Sequence, residues 1–168
     1  AWVAPAGEAP RIDGRLDDPA WAAAPPVVLG KLEARGDASP RTEARLIRTA
    51  AALCIAFDLA EPAIGSLRRD ARGRDGEAWN DDSVEVFLSP DPGGGYFQVI
   101  AGAGGAVFDR RDRGDPKAWD SGAEAAVAVR DGGWSVEISI PFASLGVAGD
   151  PLPRGRGTLY RTRRAGPA

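Results

Sequence analysis

Short runs of strand-forming residues recur along the chain, each bounded by Gly, Pro or Asp, and no segment between them has the length and apolar period of a helix. This spacing is typical of antiparallel sheets and not of alternating strands and helices. It predicts an all-β fold, an antiparallel β-sandwich of jelly-roll or immunoglobulin-like architecture with one or two short helical turns. A chain of 168 residues can bury a core without disulfides, so residues 1–168 are expected to form a single domain. The predicted strands are 27–32, 42–49, 52–59, 83–89, 95–101, 105–109, 123–130, 133–140 and 157–163.

The segments between these runs carry turn and cap residues. "VRDGGWSVEISI" predicts a hairpin that turns at 131–133, and "GAGG" at 102–105 predicts a second hairpin turn. In "DDPAWAAA", Asp18 is placed to cap a short helix and Pro19 to occupy its first position. "PFASLG" predicts another single turn that ends at its glycine. Residues 68–82 have no apolar period and are expected to form a long loop.

Composition and charge exclude several classes of function. The net charge of −3 and the pI near 5.1 argue against nucleic acid as the partner, because binding it requires a basic surface. The chain has no histidine, which excludes Ser-His-Asp and Cys-His catalysis and His-ligated metals, and no methionine, which excludes His/Met haem ligation. No hydrophobic run approaches membrane-spanning length, so we expect no membrane insertion. The single cysteine, Cys54, is expected to be buried in a strand.

The stretch "EAWNDDSVEVFLSP", residues 77–90, places a carboxylate within a strand pattern. Its alternating valines and leucine form a core-facing set, which puts Glu85 on the opposite face together with Ser83 and Phe87. If that face is open to solvent, a glutamate is unremarkable. If it forms a concave face, Glu85 lines a groove beside Trp79, six residues earlier.

The residues around Glu85 offer two interpretations of this region. Trp79 either covers an edge of the sandwich or provides a stacking platform for the apolar C–H face of a sugar. Asp81 and the neighbouring Asn80 could bind hydroxyl groups. On the next strand Gln98 is a candidate polar neighbour across the sheet.

Four phrases occur in the order found in one known family: "RIDGRLDDPAWAAA", "RRDARGRDGEAWNDDSVEVFLSP", "YFQVIAGAGGAVFD" and "GGWSVEISIPFASLG". Over about residues 11–163 the chain resembles the family 9 carbohydrate-binding modules and, more widely, the DOMON-like β-sandwich domains. The resemblance implies that Trp79 stacks on a sugar ring and that Glu85 accepts hydrogen bonds from its hydroxyls. It also implies a secreted or periplasmic protein that binds poly- or oligosaccharide beside a glycoside hydrolase, and it allows a structural calcium ion.

The chain departs from the family pattern at several positions. Gly102 stands where many relatives have Asn, and Thr158, followed by Arg161, stands where "Asn-x-x-Arg" is common. Arg161 is therefore carried over as a candidate sugar-binding residue. The sequence ends at Ala168, before the tail that in relatives carries a further Trp. These departures favour an alternative function, an accessory or interaction domain that keeps the sandwich and has lost the sugar site.

Other acidic and aromatic residues are candidates for catalysis, metal binding or stacking. Glu137 lies in an apolar strand and is expected to pair with an arginine of 157–163; with Glu85 it could in principle form a glycosidase dyad, but no cleft signature accompanies the two. Trp134 shares parity with the core set of its strand, Trp21 is expected to pack under the first helical turn, and Trp119 is a candidate second platform. The acidic residues of "DRRDRGDPKAWD" (Asp109, Asp112, Asp115 and Asp120) lack calcium-loop spacing and suggest a solvated loop.

The sequence thus supports three functions of different classes. The first is non-catalytic carbohydrate binding by a monomeric module that requires no cofactor. The second is the accessory domain without a ligand site. The third, a haem-binding DOMON-like domain, is disfavoured by the absence of His and Met.

Overall fold

The computed structural model describes residues 3–5, 8–31, 36, 38–90, 93–112, 118–146 and 155–164. Within them the chain forms two β-sheets that pack face to face, as an antiparallel β-sandwich. The strands are β1 Val3–Pro5, β2 Val27–Val28, β3 Thr42–Arg48, β4 Ala52–Ala60, β5 Ser83–Ser89, β6 Phe97–Gly102, β7 Val107–Arg111, β8 Glu124–Arg130, β9 Gly133–Pro141 and β10 Arg156–Thr162. The predicted fold class is confirmed.

The two sheets differ in strand number and regularity. The first sheet runs in the order β1-β3-β4-β9-β8, with β2 also paired to β3. The second sheet runs in the order β10-β5-β6-β7. Every pair is antiparallel except β1 with β3, which is parallel. The three-residue β1 was not predicted, because so short a strand shows no alternation in the sequence.

Helical structure is short but more frequent than the one or two turns predicted. The described residues contain one α-helix, α1, and three 3-10 turns. Asp18 is the N-cap residue of α1 and Pro19 its first residue, as predicted, but the Asp18 side chain does not cap the helix; its Oδ2 accepts from the backbone N–H of Arg11, 3.2 Å away. The helical segments are α1 Pro19–Ala23 and the turns Ile64–Ser66, Ala78–Asn80 and Phe142–Leu145. None of the described helices has the length and apolar character that a membrane crossing requires.

The core lies between the sheets and follows the alternation of the strands. Val84, Val86 and Leu88 of β5 meet the inner residues of β4 and β9, including Trp134, which is fully buried as predicted. The predicted hairpin turns between β8 and β9 and between β6 and β7 are both present. Cys54 is also buried as predicted, but its side chain points to the outer side of the first sheet.

The outer face of the first sheet is covered by residues 10–24. Trp21 packs there against Ile47, Cys54 and Ala56. Gly14, at φ 85°, lies so close to β8 that a Cβ would sit 2.6 Å from the carbonyl carbon of Val127. The face is therefore closed by the chain itself.

Glu137 clamps this covering segment to the sheet. Its carboxylate accepts from the backbone N–H groups of Asp13 and Gly14, at 2.8 and 2.7 Å, and from Trp21 Nε1 at 2.6 Å. Burial raises the pKa of Glu137, and these three donors oppose the rise. The predicted pairing of Glu137 with an arginine of 157–163 was wrong, because its side chain points to the outer side of the first sheet, away from β10.

A buried ion cluster joins the two sheets at one end of the sandwich. Glu61, fully buried after β4, binds Arg161 Nη2 at 2.8 Å and Arg163 Nε at 2.7 Å. Arg161 also donates to the carbonyl of Ala60 and to the hydroxyl of Thr42. The hydrogen bonds from Arg163 hold the pKa of Glu61 below its ordinary value.

Candidate functional site

The outer face of the second sheet, unlike that of the first, is lined by partly exposed polar and aromatic side chains. Register fixes which of them are neighbours: Glu85 of β5 pairs with Tyr160 of β10 and with Ile100 of β6, and Ile100 pairs with Phe108 of β7. Directly paired residues point to the same side of a sheet. These four side chains therefore form one row across the outer face, opposite to the buried valines of β5.

Glu85 is half-buried in the middle of this row and is held in place by its neighbours. Gln98 Nε2 donates to its Oε2 at 2.8 Å, and the hydroxyl of Thr162 donates to its Oε1 at 3.2 Å. Gln98, predicted as a polar neighbour across the sheet, is indeed in contact with Glu85. A carboxylate offers about four lone-pair positions, so two donors leave it able to accept from a ligand.

Trp79 lies on the 3-10 turn Ala78–Asn80 at the β7 side of the same face. Its side chain is 37% exposed, and its ring meets Phe108 edge to face, with centroids 4.7 Å apart at 78°. Ala78 beneath it is buried against Ile100. Trp79 and Glu85 thus lie on the same outer face, with Ile100 and Phe108 between them.

Gly102, a departure from the family pattern, lies beside the turn that carries Trp79. A Cβ at Gly102 would lie 3.4 Å from the Cβ of Ala78, which is an ordinary van der Waals contact. The approach of this turn to β6 therefore does not require glycine.

An aromatic pocket, defined by Phe87, Tyr96 and Tyr160, continues the face toward the other end of β5. Phe87 lies 5.6 Å from both tyrosine rings, centroid to centroid, and meets Tyr160 edge to face at 88°. The cavity at this place measures about 270 Å³, and Ser89, Arg156 and Thr158 also line it. Arg110 donates to the hydroxyl of Tyr96 at 2.7 Å.

The two remaining candidates make internal contacts. Asp81 is buried, and its Oδ2 accepts from the backbone N–H of Ala71 at 2.8 Å, which shapes the loop beside Trp79. Arg161 lies on the opposite side of β10 from Tyr160, its side chain is 7% exposed, and Glu61 binds its guanidinium. The structure therefore brings Trp79, Glu85 and Gln98 to one face and turns Arg161 into the sandwich.

The other residues considered for stacking and catalysis lie away from this face or inside the sandwich. Trp119 is buried against Phe97, and its Nε1 donates to the carbonyl of Ser144, so it offers no free ring. Glu137 and Glu85 lie on the outer sides of different sheets and cannot flank one bond, which excludes the dyad.

The acidic loop residues are only partly described. Asp109 binds Arg74 and Ser121 through its Oδ2, whereas Asp115 lies outside the described residues. Within the described parts of the chain, no three His, Cys, Asp or Glu side chains group as metal ligands would.

Several residues of this face were missed by the sequence reasoning: Phe87 as part of a pocket, and Tyr96, Phe108, Arg110, Arg156 and Tyr160. The alternation along β10 could have identified Tyr160, because it points to the opposite side of the strand from Leu159 and Arg161. The pairing of β10 with β5 had no such signal, because the two strands are far apart in the sequence.

Comparison with known proteins identifies the family. The family model described as "carbohydrate family 9 binding domain-like" matches residues 12–155. The chain belongs to this family. A search among curated proteins found no match.

Solved structures of family 9 modules share the fold of this family 9 domain. One, a carbohydrate-binding module from Caldicellulosiruptor kristjanssonii in complex with glucose, has a TM-score of 0.66 at 16% identity, with 96% of this chain and 77% of that chain covered. Another, from the same organism and in complex with cellotriose, has a TM-score of 0.59 at 19% identity, with 83% and 66% covered. At these identities the likeness concerns the fold, and the chain spans just under two thirds of the length of the cellotriose-bound module.

Proposed function

We propose that this domain binds saccharide without catalysis, on the outer face of the second sheet. The observation that carries the proposal is the Glu85 carboxylate, oriented by Gln98 and Thr162 on the one row that ends at the exposed ring of Trp79. Membership of family 9 and the glucose and cellotriose bound by its structural neighbours support the same ligand class.

The chemistry of the two residues suits a pyranose. The indole ring presents an apolar face to the C–H face of the sugar, while the carboxylate accepts hydrogen bonds from hydroxyls on the ring edge. Because Gln98 and Thr162 hold Glu85 before a ligand arrives, little side-chain entropy is lost on binding.

The alternative is an accessory domain that has lost the sugar site. Two of the predicted sugar-binding residues make internal contacts here, since Arg161 is bound to Glu61 and Asp81 to the backbone of Ala71. Sugar binding is preferred because Trp79 is exposed and Glu85 is half-buried on the same outer face. A haem-binding function has less support, since the chain has no His and no Met for axial ligation.

The wider setting of the domain is proposed from the resemblance alone. It comprises a relation to DOMON-like domains, a secreted or periplasmic location, attachment to or action beside a glycoside hydrolase, a monomeric state and an optional structural calcium ion. Size-exclusion chromatography with light scattering and calcium titration by calorimetry address the last two points.

Isothermal titration with mono- and oligosaccharides tests the site. Trp79→Ala is expected to reduce affinity below detection, because the stacking area is lost. Glu85→Gln keeps the shape but weakens acceptance, and should lower affinity about ten- to a hundredfold, since hydrogen bonds to charged groups contribute about 1.5–3 kcal/mol.

Matched controls lie on β8, the edge strand of the other sheet. Glu124 and Val129 are exposed there, so Glu124→Gln and Val129→Ala should leave affinity unchanged. Thermal melts establish that each variant folds. Unchanged binding in both folded site variants would show that the site is wrongly placed, and a parent that binds no saccharide would favour the accessory domain.

A further inference from the structure

The aromatic pocket beside Glu85 combines ring surfaces with positive charge that no described carboxylate neutralises. Arg156 lines the cavity of about 270 Å³ and forms no ion pair with the described residues. Arg110 lies at the far side of Tyr96: its Nη2 holds the tyrosine hydroxyl, its Cζ lies 5.9 Å from the ring centroid, and its buried Nε has no hydrogen-bond partner among the described groups.

Two carboxylates lie near this pocket. Glu85 accepts from Gln98 and Thr162, and Asp112 accepts from the backbone N–H of Tyr96 at 3.0 Å. These neutral donors leave both carboxylates charged, but neither carboxylate pairs with Arg156, so the end of the pocket at Arg156 favours an anion although the chain as a whole carries a net charge of −3.

The distance along β5 between Glu85 and Arg156 places the negative and the positive charge beside different parts of a ligand. Arg156 pairs with Ser89, four residues beyond Glu85 on the same strand. At roughly 3.3 Å per residue this is about 13 Å, more than one pyranose ring spans. A carboxylate next to Glu85 would be repelled, whereas a carboxylate at the pocket would meet a guanidinium that can bind both of its oxygens.

We infer that the pocket of Phe87, Tyr96, Tyr160 and Arg156 is a second subsite that binds an acidic, carboxylate-bearing sugar unit. The ligand of this domain is then an oligosaccharide containing uronate, with a hydroxyl-rich unit at Trp79 and Glu85 and the uronate unit at Arg156. Phe87 and Tyr160 supply ring surface for the sugar, and the hydroxyl of Thr158 lies at the rim. The inference rests on the proposed saccharide binding and extends it to a substrate class.

The test uses pairs of ligands that differ only in the carboxylate. The acidic probes are tri-galacturonate, an alginate trisaccharide and xylotriose carrying one glucuronate branch. Each is compared by calorimetry with its carboxyl-reduced counterpart, in which a hydroxymethyl group replaces the carboxylate. We expect at least one acidic probe to bind about five- to tenfold more tightly than its counterpart, an effect expected of a partly exposed charge-assisted contact, and added salt to reduce the difference.

Arg156→Gln connects the preference to the pocket. It should abolish the difference between the members of each pair, because the affinity for the acidic member should fall more than that for the neutral member. Arg15→Gln is the matched control, because Arg15 is exposed on the segment that covers the other sheet. The inference is overturned if no acidic probe binds better than its neutral counterpart, or if the preference survives in Arg156→Gln. If neutral members bind and no preference exists, only this inference fails; if no member of any pair binds, the proposed function fails as well.

Discussion

Glu61, a buried glutamate that binds two arginines, is a single residue whose replacement should destabilise the protein. Glu61 is fully buried and binds Arg161 and Arg163, which reach it from β10 and the residue after it. Glu61→Gln removes the carboxylate that both guanidinium groups bind, although the charge of Asp82 still acts on them. Breaking a buried pair costs about 3–5 kcal/mol, and Arg163 is partly exposed. We therefore expect Glu61→Gln to lower the free energy of unfolding, measured in urea, by about 3 kcal/mol.

The pH dependence of the same substitution has a definite sign. The pKa of Glu61 in the folded protein lies below its ordinary value of 4.5, chiefly because Arg163 donates to it. Its contribution to stability is therefore present above that ordinary value and is lost as pH falls through the lowered pKa. The difference in unfolding free energy between parent and Glu61→Gln should be constant near neutrality and shrink in acid. Glu43→Gln, at a more exposed pair with Arg41, should cost less than about 1 kcal/mol; equal losses in the two variants would contradict the argument.

Single residues also show where sequence reasoning succeeds and where it fails. Strand alternation placed Glu85 and Gln98 on one face, because period-two geometry is a local property. Arg161 was carried over from a family pattern, although its parity with Leu159 indicated the core. Glu137 was assigned the wrong partner, because charge complementarity does not say that its side chain faces the covering segment and not β10.

At the scale of elements, the Glu137 carboxylate joins both α1 and the turn before it to the first sheet. Trp21 Nε1 donates to Glu137 at 2.6 Å, whereas Nε1 of the equally buried Trp134 has no hydrogen-bond partner among the described groups. The two tryptophans therefore form a matched pair for measuring this attachment.

Trp→Phe at both positions removes a similar volume but only one hydrogen bond. We expect Trp21→Phe to destabilise the protein by about 1–3 kcal/mol more than Trp134→Phe, since it leaves a buried carboxylate oxygen without its donor. Chemical unfolding followed by circular dichroism gives both values. If Trp134→Phe is as costly, packing and not the Glu137 clamp holds the segment.

The sequence predicted most strands because each has a local pattern. It did not predict how the covering segment, residues 10–24, attaches to the first sheet. The short β1 has no pattern of its own and pairs only through β3. The turn at 13–14 binds Glu137 more than a hundred residues away in the sequence. Such contacts arise from topology, which a single sequence does not specify at this level.

Considered as a whole, the molecule has one closed and one accessible outer face, and its tryptophans report on different parts of it. Of the four tryptophans that the structure describes, Trp21 lies under the covering segment, Trp134 in the core and Trp119 against Phe97, all buried. Trp79 alone among these four is exposed, on the face assigned to saccharide.

Saccharide binding should therefore change tryptophan fluorescence through Trp79. With the saccharide that binds most tightly in calorimetry, we expect the parent to show a blue shift and reduced quenching by acrylamide, because a sugar ring shields the indole from water. Trp79→Phe should lose the fluorescence change while retaining part of the affinity, since a phenyl ring still stacks. Trp119→Phe, which removes a buried indole, should keep the change. A ligand-induced change that persists in folded Trp79→Phe would place the bound saccharide elsewhere, on the covered face or at an edge of the sandwich.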